Sequence, residues 1–342
     1  MKKNEVKSIL IVKLGAIGDV VMSLSMLEAI KENYKDAELT WIIGRAAYPI
    51  LQNFEQIKEL CLIDDAALLK GSIFARLKVL LSVWIKFFLK EFDLVVIPYR
   101  DKRYKLLTLT IRGKKQRDFM GLGRQNTIIP GRYHASEYRK LITHTDDWKM
   151  KDPSTPKIEL PKNERIDEFL AASNLPRVVL APGGSKNLLA DDILRRWPVE
   201  YYRQLCSCLI EKGINVILIG AETDRWVEEE FKELNVLNLI GKTSLIDLIY
   251  LFSRSKLLVT HDTGSLQIAK LTEITSIALF GPVNPRERIG ELDNVEAIWG
   301  GKNLPCSPCY DGKNFAKCDN NICMKNISVK TVTEAVLSKI FK

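Results

Sequence analysis

No uncharged apolar run in this 342-residue chain reaches the roughly eighteen residues that a membrane span needs. The first apolar stretch is interrupted by Lys13 and Asp19, and no small-residue cleavage site follows it. It therefore reads as a first β-strand rather than a signal peptide, and the chain is expected in the cytoplasm. An Asp-x-Asp pair occurs nowhere, which leaves a metal site built on that pair unsupported. Gly-x-Gly-x-x-Gly is missing too, so a dinucleotide fingerprint is excluded. Gly241-Lys242-Thr243 imitates the tail of a Walker A loop, but Val236 stands where that motif needs its first glycine. No repeat of solenoid length is present. Acidic side chains are scarce in one place: from Lys70 to Arg117 there are three, against thirteen Lys or Arg. That segment is +10 in a chain of net charge +9, so the remainder sums to −1. The protein is not basic throughout; it carries one basic segment.

What is present describes a folded protein. Apolar residues make up 46% and charged residues 27%, which excludes disorder, and the length suits two domains. Short β-branched runs alternate with longer helical stretches, which predicts α/β layers on mostly parallel sheets. Ser8–Val12, Leu39–Ile43 and Asp93–Ile97 read as strands, with a helix over Asp19–Asn33. Pro153, Pro156 and Pro161 mark a linker, after which strands recur at Arg177–Leu180, Asn215–Ile219, Lys256–Thr260 and Ser276–Phe280. The expected domains are residues 1–160 and 161–342.

Three strand-to-helix turns carry candidate chemistry: Lys13-Leu14-Gly15-Ala16-Ile17-Gly18-Asp19-Val20, Ala181-Pro182-Gly183-Gly184-Ser185 and Thr260-His261-Asp262-Thr263-Gly264-Ser265. Glycine permits a tight turn and close ligand approach, and a helix start favours negative charge. Any one of them is compatible with an ordinary connection, and Asp19 with a simple N-cap. Several in one chain, all after strands, point to a ligand at the carboxyl ends of the sheets.

In order and spacing, these motifs, with Arg195-Arg196-Trp197-Pro198 and Ala278-Leu279-Phe280-Gly281-Pro282, resemble the family 9 glycosyltransferases, the bacterial lipopolysaccharide heptosyltransferases. The resemblance runs nearly end to end. It implies a GT-B fold, two Rossmann-like domains facing across a cleft. The acceptor would lie on the N-terminal domain and the nucleotide-sugar, most simply ADP-heptose, on the C-terminal one. It implies an inverting, metal-independent transfer that needs no cofactor, to a lipopolysaccharide core or lipid A acceptor. Asp19 falls on the family's catalytic aspartate. Gly183, Arg195, Glu222, Asp262, Thr263 and Gly264 fall on the donor side. Lys13, Gly18, Arg100, Lys102 and Arg103 are the acceptor-side candidates, the last three following a strand at its carboxyl end.

Two positions depart from the family pattern. Gln267 replaces a histidine and cannot become cationic, while His261 reads either as a partly exposed structural residue or as a compensating phosphate contact. Lys270 replaces a small residue and hints at an altered donor pocket. Cys306, Cys309, Cys318 and Cys323, in the cysteine-rich segment 306–323, could hold a structural zinc, remain packed thiols or form disulfides. Cys61, Cys206 and Cys208 read as ordinary buried thiols. Ile73–Phe92 is a basic, aromatic-rich amphipathic stretch. It can pack one face on the sheet with its lysines solvated, or lie in a membrane interface, and both can hold together. The expected partners are the nucleotide-sugar, the acceptor and the inner-membrane surface. The basic segment contains no nucleic-acid-binding motif, and the chain is read as a monomer.

Overall fold

The computed structural model describes residues 6–99, 101–119, 128–145, 151–186, 188–310 and 314–341. The chain divides between Thr155 and Pro156 into two compact units, with the short run around Leu188 grouping with the first.

The first unit begins β1 (Ser8–Val12), α1 (Ile17–Ser23), α2 (Ser25–Asn33), β2 (Glu38–Gly44), α3 (Tyr48–Leu51) and β3 (Ile57–Ile63). It continues with α4 (Asp65–Lys70), α5 (Ile73–Lys86), β4 (Glu91–Ile97), α6 (Lys102–Leu107), β5 (Arg112–Asp118) and α7 (His134–Thr143). Its strands form a parallel sheet in the order β3-β2-β1-β4-β5. The central strands are continuous Ile, Leu and Val runs because helices cover both faces of a parallel sheet. The helix expected over Asp19–Asn33 is interrupted at Leu24. There the Ser23 hydroxyl bonds back to the Val20 carbonyl and Ser25 turns its hydroxyl to the Ala135 carbonyl, so local side-chain bonds compete with a continuous helix.

The second unit holds α8 (Glu164–Leu170), β6 (Arg177–Ala181), α9 (Val199–Glu211), β7 (Asn215–Leu218), β8 (Leu237–Asn238) and α10 (Leu245–Ser253). There follow β9 (Leu257–His261), α11 (Gly264–Ala269), β10 (Thr275–Phe280), β11 (Val295–Trp299), α12 (Ile322–Lys325) and α13 (Val329–Ile340). Its parallel sheet runs β11-β10-β9-β6-β7-β8. Trp197 and Tyr202 are wholly buried in its core, and the Trp197 indole donates to the Ile327 carbonyl at 2.9 Å. Each unit is thus a Rossmann-like layer structure. In each, the candidate turns leave a strand at the carboxyl edge of the sheet.

Among the described residues no helix is long and apolar enough to cross a membrane. Cys61 and Cys206 are buried and Cys208 half-buried. Among the described residues no group of three or more His, Cys, Asp or Glu is placed to hold a metal ion, so the structural zinc finds no support. Cys323 is instead packed under Gly281, while Cys306 and Cys318 lie exposed. The segment between them has another use, described below.

Candidate active site

In the first unit β1 delivers Lys13 into the interior, and the glycine turn brings Asp19 onto the first turn of α1. The N-cap of α1 is Ala16, so the simple capping role for Asp19 does not hold; its carboxylate goes to Lys13. Lys13 Nζ lies 3.1 Å from Asp19 Oδ2, 4.6 Å from the Tyr99 ring centroid and 5.6 Å from that of Tyr138. The Lys13 side chain has no exposed surface, whereas Asp19 keeps 33% of its own. Burial lowers the Lys13 pKa, and Asp19 opposes that shift by charge and by hydrogen bond. Tyr104, tilted against Tyr99 with ring centroids 4.7 Å apart, closes the cage, and burial pushes its pKa up. A buried cation and two ring faces thus hold one accessible carboxylate.

The acceptor-side candidates separate. Lys13 has no surface for a ligand, so its sequence-based reading as an acceptor contact gives way to one in which it positions Asp19. Gly18 lies part-exposed beside Asp19. Lys102 is exposed at the start of α6. Arg103 is tied down: Asp101 takes its Nε and Nη2, and Nη1 donates to the Leu69 carbonyl at 2.7 Å. It braces the loop after β4 rather than presenting a free fork. Arg100 lies outside the described residues.

In the second unit, β6 ends in the Gly183-Gly184 turn, with Gly184 at φ +89°. A residue the sequence reading missed, Asp224, organises this turn. Its carboxylate accepts from the Gly184 and Ala221 amides at 2.8 Å each, tying the loop after β6 to the loop after β7. A Cβ on Gly183 would sit 2.6 Å from Asp224, so only glycine fits. Thr263 caps α11 by accepting from the Ser265 amide at 3.2 Å, and the space a Cβ would need at Gly264 is open. Glu222 is exposed and paired with Arg225, whose hydrogen bond lowers its pKa.

Asp262 is buried between two guanidiniums, 3.3 Å from Arg195 Nη1 and 3.7 Å from Arg288 Nε. Arg195 also meets Asp192 at 3.5 Å, and Arg288 meets Glu287 at 3.6 Å. The cysteine-rich segment supplies Tyr310 and Phe315, in contact with each other at 4.8 Å. The Arg195 guanidinium lies 5.5 and 5.3 Å from their centroids and that of Arg288 lies 5.8 Å from Tyr310. Arg288, Tyr310 and Phe315 were invisible as site residues, since no motif links them to Asp262. The two family departures are structural: Lys270 is buried against Asp293 at 2.8 Å and bonds Gln267 Oε1 and the Arg288 carbonyl at 3.0 Å each. Gln267 donates to the same carbonyl at 3.3 Å, so both residues fix the backbone that presents Arg288.

His261 is not partly exposed. It is wholly buried, with Nδ1 3.1 Å from the Tyr202 hydroxyl, and its pKa is lowered to about 3 by burial and by Arg196 and Arg195. It stays neutral and supplies no charge to a phosphate. On unfolding it regains its ordinary value of 6.5, so the unfolded chain binds the extra proton. The stability it contributes is complete above that value and is lost as the pH falls towards 3. The expected slope is up to about 1.4 kcal/mol per pH unit. His261→Gln should flatten urea-unfolding stability between about pH 6 and pH 4; unchanged slopes would refute the assignment.

Comparison with known proteins completes the picture. The model of Glycosyltransferase family 9 (heptosyltransferase) matches residues 115–319. The lipopolysaccharide core heptosyltransferase OpsX of Haemophilus influenzae is 25% identical over 90% of this chain and 92% of its own. Among solved structures, a glycosyl transferase family 9 protein of Veillonella parvula aligns with TM-score 0.77 at 18% identity, covering 98% of this chain and 97% of that one. ADP-heptose lps heptosyltransferase II of Escherichia coli aligns with TM-score 0.71 at 18% identity over 98% of each chain. Together with the two parallel-sheet units, these likenesses give the GT-B fold expected from the sequence.

Proposed function

From its membership of glycosyltransferase family 9, to which this chain belongs, we propose that this glycosyltransferase moves a heptose from ADP-heptose onto a lipopolysaccharide core acceptor at the cytoplasmic face of the inner membrane. The donor and acceptor classes are those in the names of its relatives. The observation that carries the mechanism is the accessible Asp19 carboxylate held by a buried lysine. Asp19 takes the proton of the acceptor hydroxyl as that oxygen bonds to the anomeric carbon. The bond from that carbon to the diphosphate oxygen breaks on the opposite face, so ADP leaves and the configuration inverts.

The leaving diphosphate gains one negative charge as its bond to the sugar breaks, and fixed donors can meet it. The Gly183-Gly184 turn, the amides following Thr263, and Arg195 form that set, with Arg288 beside it. Asp262 positions the two guanidiniums instead of touching an anion. Glu222, exposed at the edge of the same unit, is assigned to the ribose. No step is assigned to a metal, in keeping with a sequence that has no Asp-x-Asp pair. Residues 6–155 would carry the acceptor chemistry and 156–342 the donor chemistry.

A thermal-shift screen of ADP-, GDP-, UDP- and dTDP-sugars tests the donor. Selective stabilisation by ADP-sugars is expected, and a preference for another base would overturn the heptose reading.

A further inference from the structure

Helix α5 is apolar both on its buried side and on an exposed one. Val79, Leu80 and Val83, with Phe87 just beyond, are buried in the core of the first unit. Away from that core Ile73, Phe74, Leu77, Leu81 and Ile85 stand exposed, Phe74 by 84% and Ile85 by 76%. At 3.6 residues per turn these five fall within about a third of the helix circumference. Phe88 and Leu89 continue the stripe beyond the helix end. Half-buried Trp84 edges it, and its indole donates to the Leu106 carbonyl at 2.8 Å, fastening the end of α6 alongside. Exposed Leu106 and Leu109 there extend the apolar surface onto a second element.

The charges of this region are sorted. Glu59 takes Lys86 and Lys90, Asp93 takes Lys114, Asp101 takes Arg103 and Asp118 takes Lys105. Lys70, Lys78, Arg112 and Lys115 remain exposed and carry no ion pair among the described residues. Arg112 and Lys115 lie on β5, the edge strand next to α6 in sequence. A contiguous apolar patch of this kind is uncommon on the surface of a soluble monomer, and here it lies in a segment with unneutralised positive charge.

We propose that α5, with the end of α6, is a docking face that lies in the interface of a bilayer containing anionic lipid. Bulky apolar side chains enter the boundary between headgroups and acyl chains, while the unpaired lysines and arginines meet the lipid phosphates. Charge decides against a second copy of this chain as the occupant, because the same unpaired cations would then face one another. The face is defined within the first unit alone, so vesicle binding is expected even if the sugar-transfer reading fails.

Flotation of the full chain with vesicles of phosphatidylethanolamine and phosphatidylglycerol, against phosphatidylcholine vesicles, tests this. The wild type should float with the anionic vesicles, less so as salt rises, and weakly with the neutral ones. Phe74→Ser with Ile85→Ser should weaken binding about tenfold or more at low and high salt, since interfacial binding scales with buried apolar area. Its melting temperature should be unchanged, because both side chains are exposed. Lys70→Gln with Lys78→Gln and Lys115→Gln should remove the salt-sensitive part of the binding. A wild type that does not float, or an apolar variant that floats equally well, would overturn the proposal. So would a wild-type dimer by light scattering that the apolar substitutions dissociate without any vesicle binding; that result would assign the face to a second copy.

Discussion

Asp19→Ala is expected to reduce sugar transfer by about 10²–10⁴-fold, the contribution of a positioned general base, while ADP still binds. The base must reach the acceptor hydroxyl and must be an anion. Asp19 meets the first need by its exposure, and Lys13, 3.1 Å away and wholly buried, holds the carboxylate in place. The same pair complicates the experiment. Removing one partner of a buried ion pair leaves the other uncompensated, at a cost of about 3–5 kcal/mol in fully buried cases and less here, since Asp19 is part-exposed. A loss of activity could then reflect a weakened fold. Two further variants separate the causes. Asp19→Asn keeps the shape and a hydrogen bond but accepts no proton, and it should be as inactive as the alanine variant. Asp19→Ala combined with Lys13→Met removes the orphaned ammonium, so the melting temperature should recover while turnover does not. Recovery of turnover in the double variant would show that Asp19 is structural, and another group would have to take the proton.

The parts of this molecule legible in the sequence are those that depend on neighbours along the chain. β1, β4, β6, β9 and β10 declare themselves because strands covered on both faces are unbroken apolar runs. β5 has no such signal: Arg112-Gly113-Lys114-Lys115-Gln116-Arg117-Asp118 is an edge strand whose side chains are mostly exposed, and lysines there protect an open edge. The same residues that read as a basic segment are therefore also a strand. The glycine turns with Asp19 and Thr263 were visible because each is one short motif. Asp224 was not, since it organises the turn at Gly184 from forty residues away. The Tyr99 and Tyr138 faces on Lys13, Arg288 beside Asp262, and Tyr310 against Arg288 likewise depend on tertiary placement. His261 did carry a signal that the exposure reading overlooked: it ends Leu257-Leu258-Val259-Thr260-His261, a strand buried at every position. The stretch Ile73–Phe92 left two alternatives open; its helix packs one side on the core, as the first requires, and leaves the other side exposed.

The largest effect expected in the second unit comes from Asp262, and its direction distinguishes positioning from contact. Asp262 sits between Arg195 and Arg288, whose other carboxylates, Asp192 and Glu287, lie at 3.5 and 3.6 Å. In Asp262→Asn both arginines lose the anion they share. Because Asp192 and Glu287 remain, the stability cost should be well below that of a fully orphaned pair, about 1–2 kcal/mol, or a fall in melting temperature of roughly 2–8 °C. Removing a negative charge beside the proposed diphosphate site should make ADP bind at least as tightly as before, and several-fold tighter at low salt. Turnover should nevertheless drop by about 10²-fold, because guanidiniums free to shift by about an ångström no longer meet the charge that develops on the leaving oxygen. A rise in affinity together with a fall in rate is the signature of a residue that aims others. If Asp262 instead held the nucleotide through its own hydrogen bond, titration calorimetry would show ADP binding weakened in step with turnover, and the two-arginine arrangement would lose its assigned purpose.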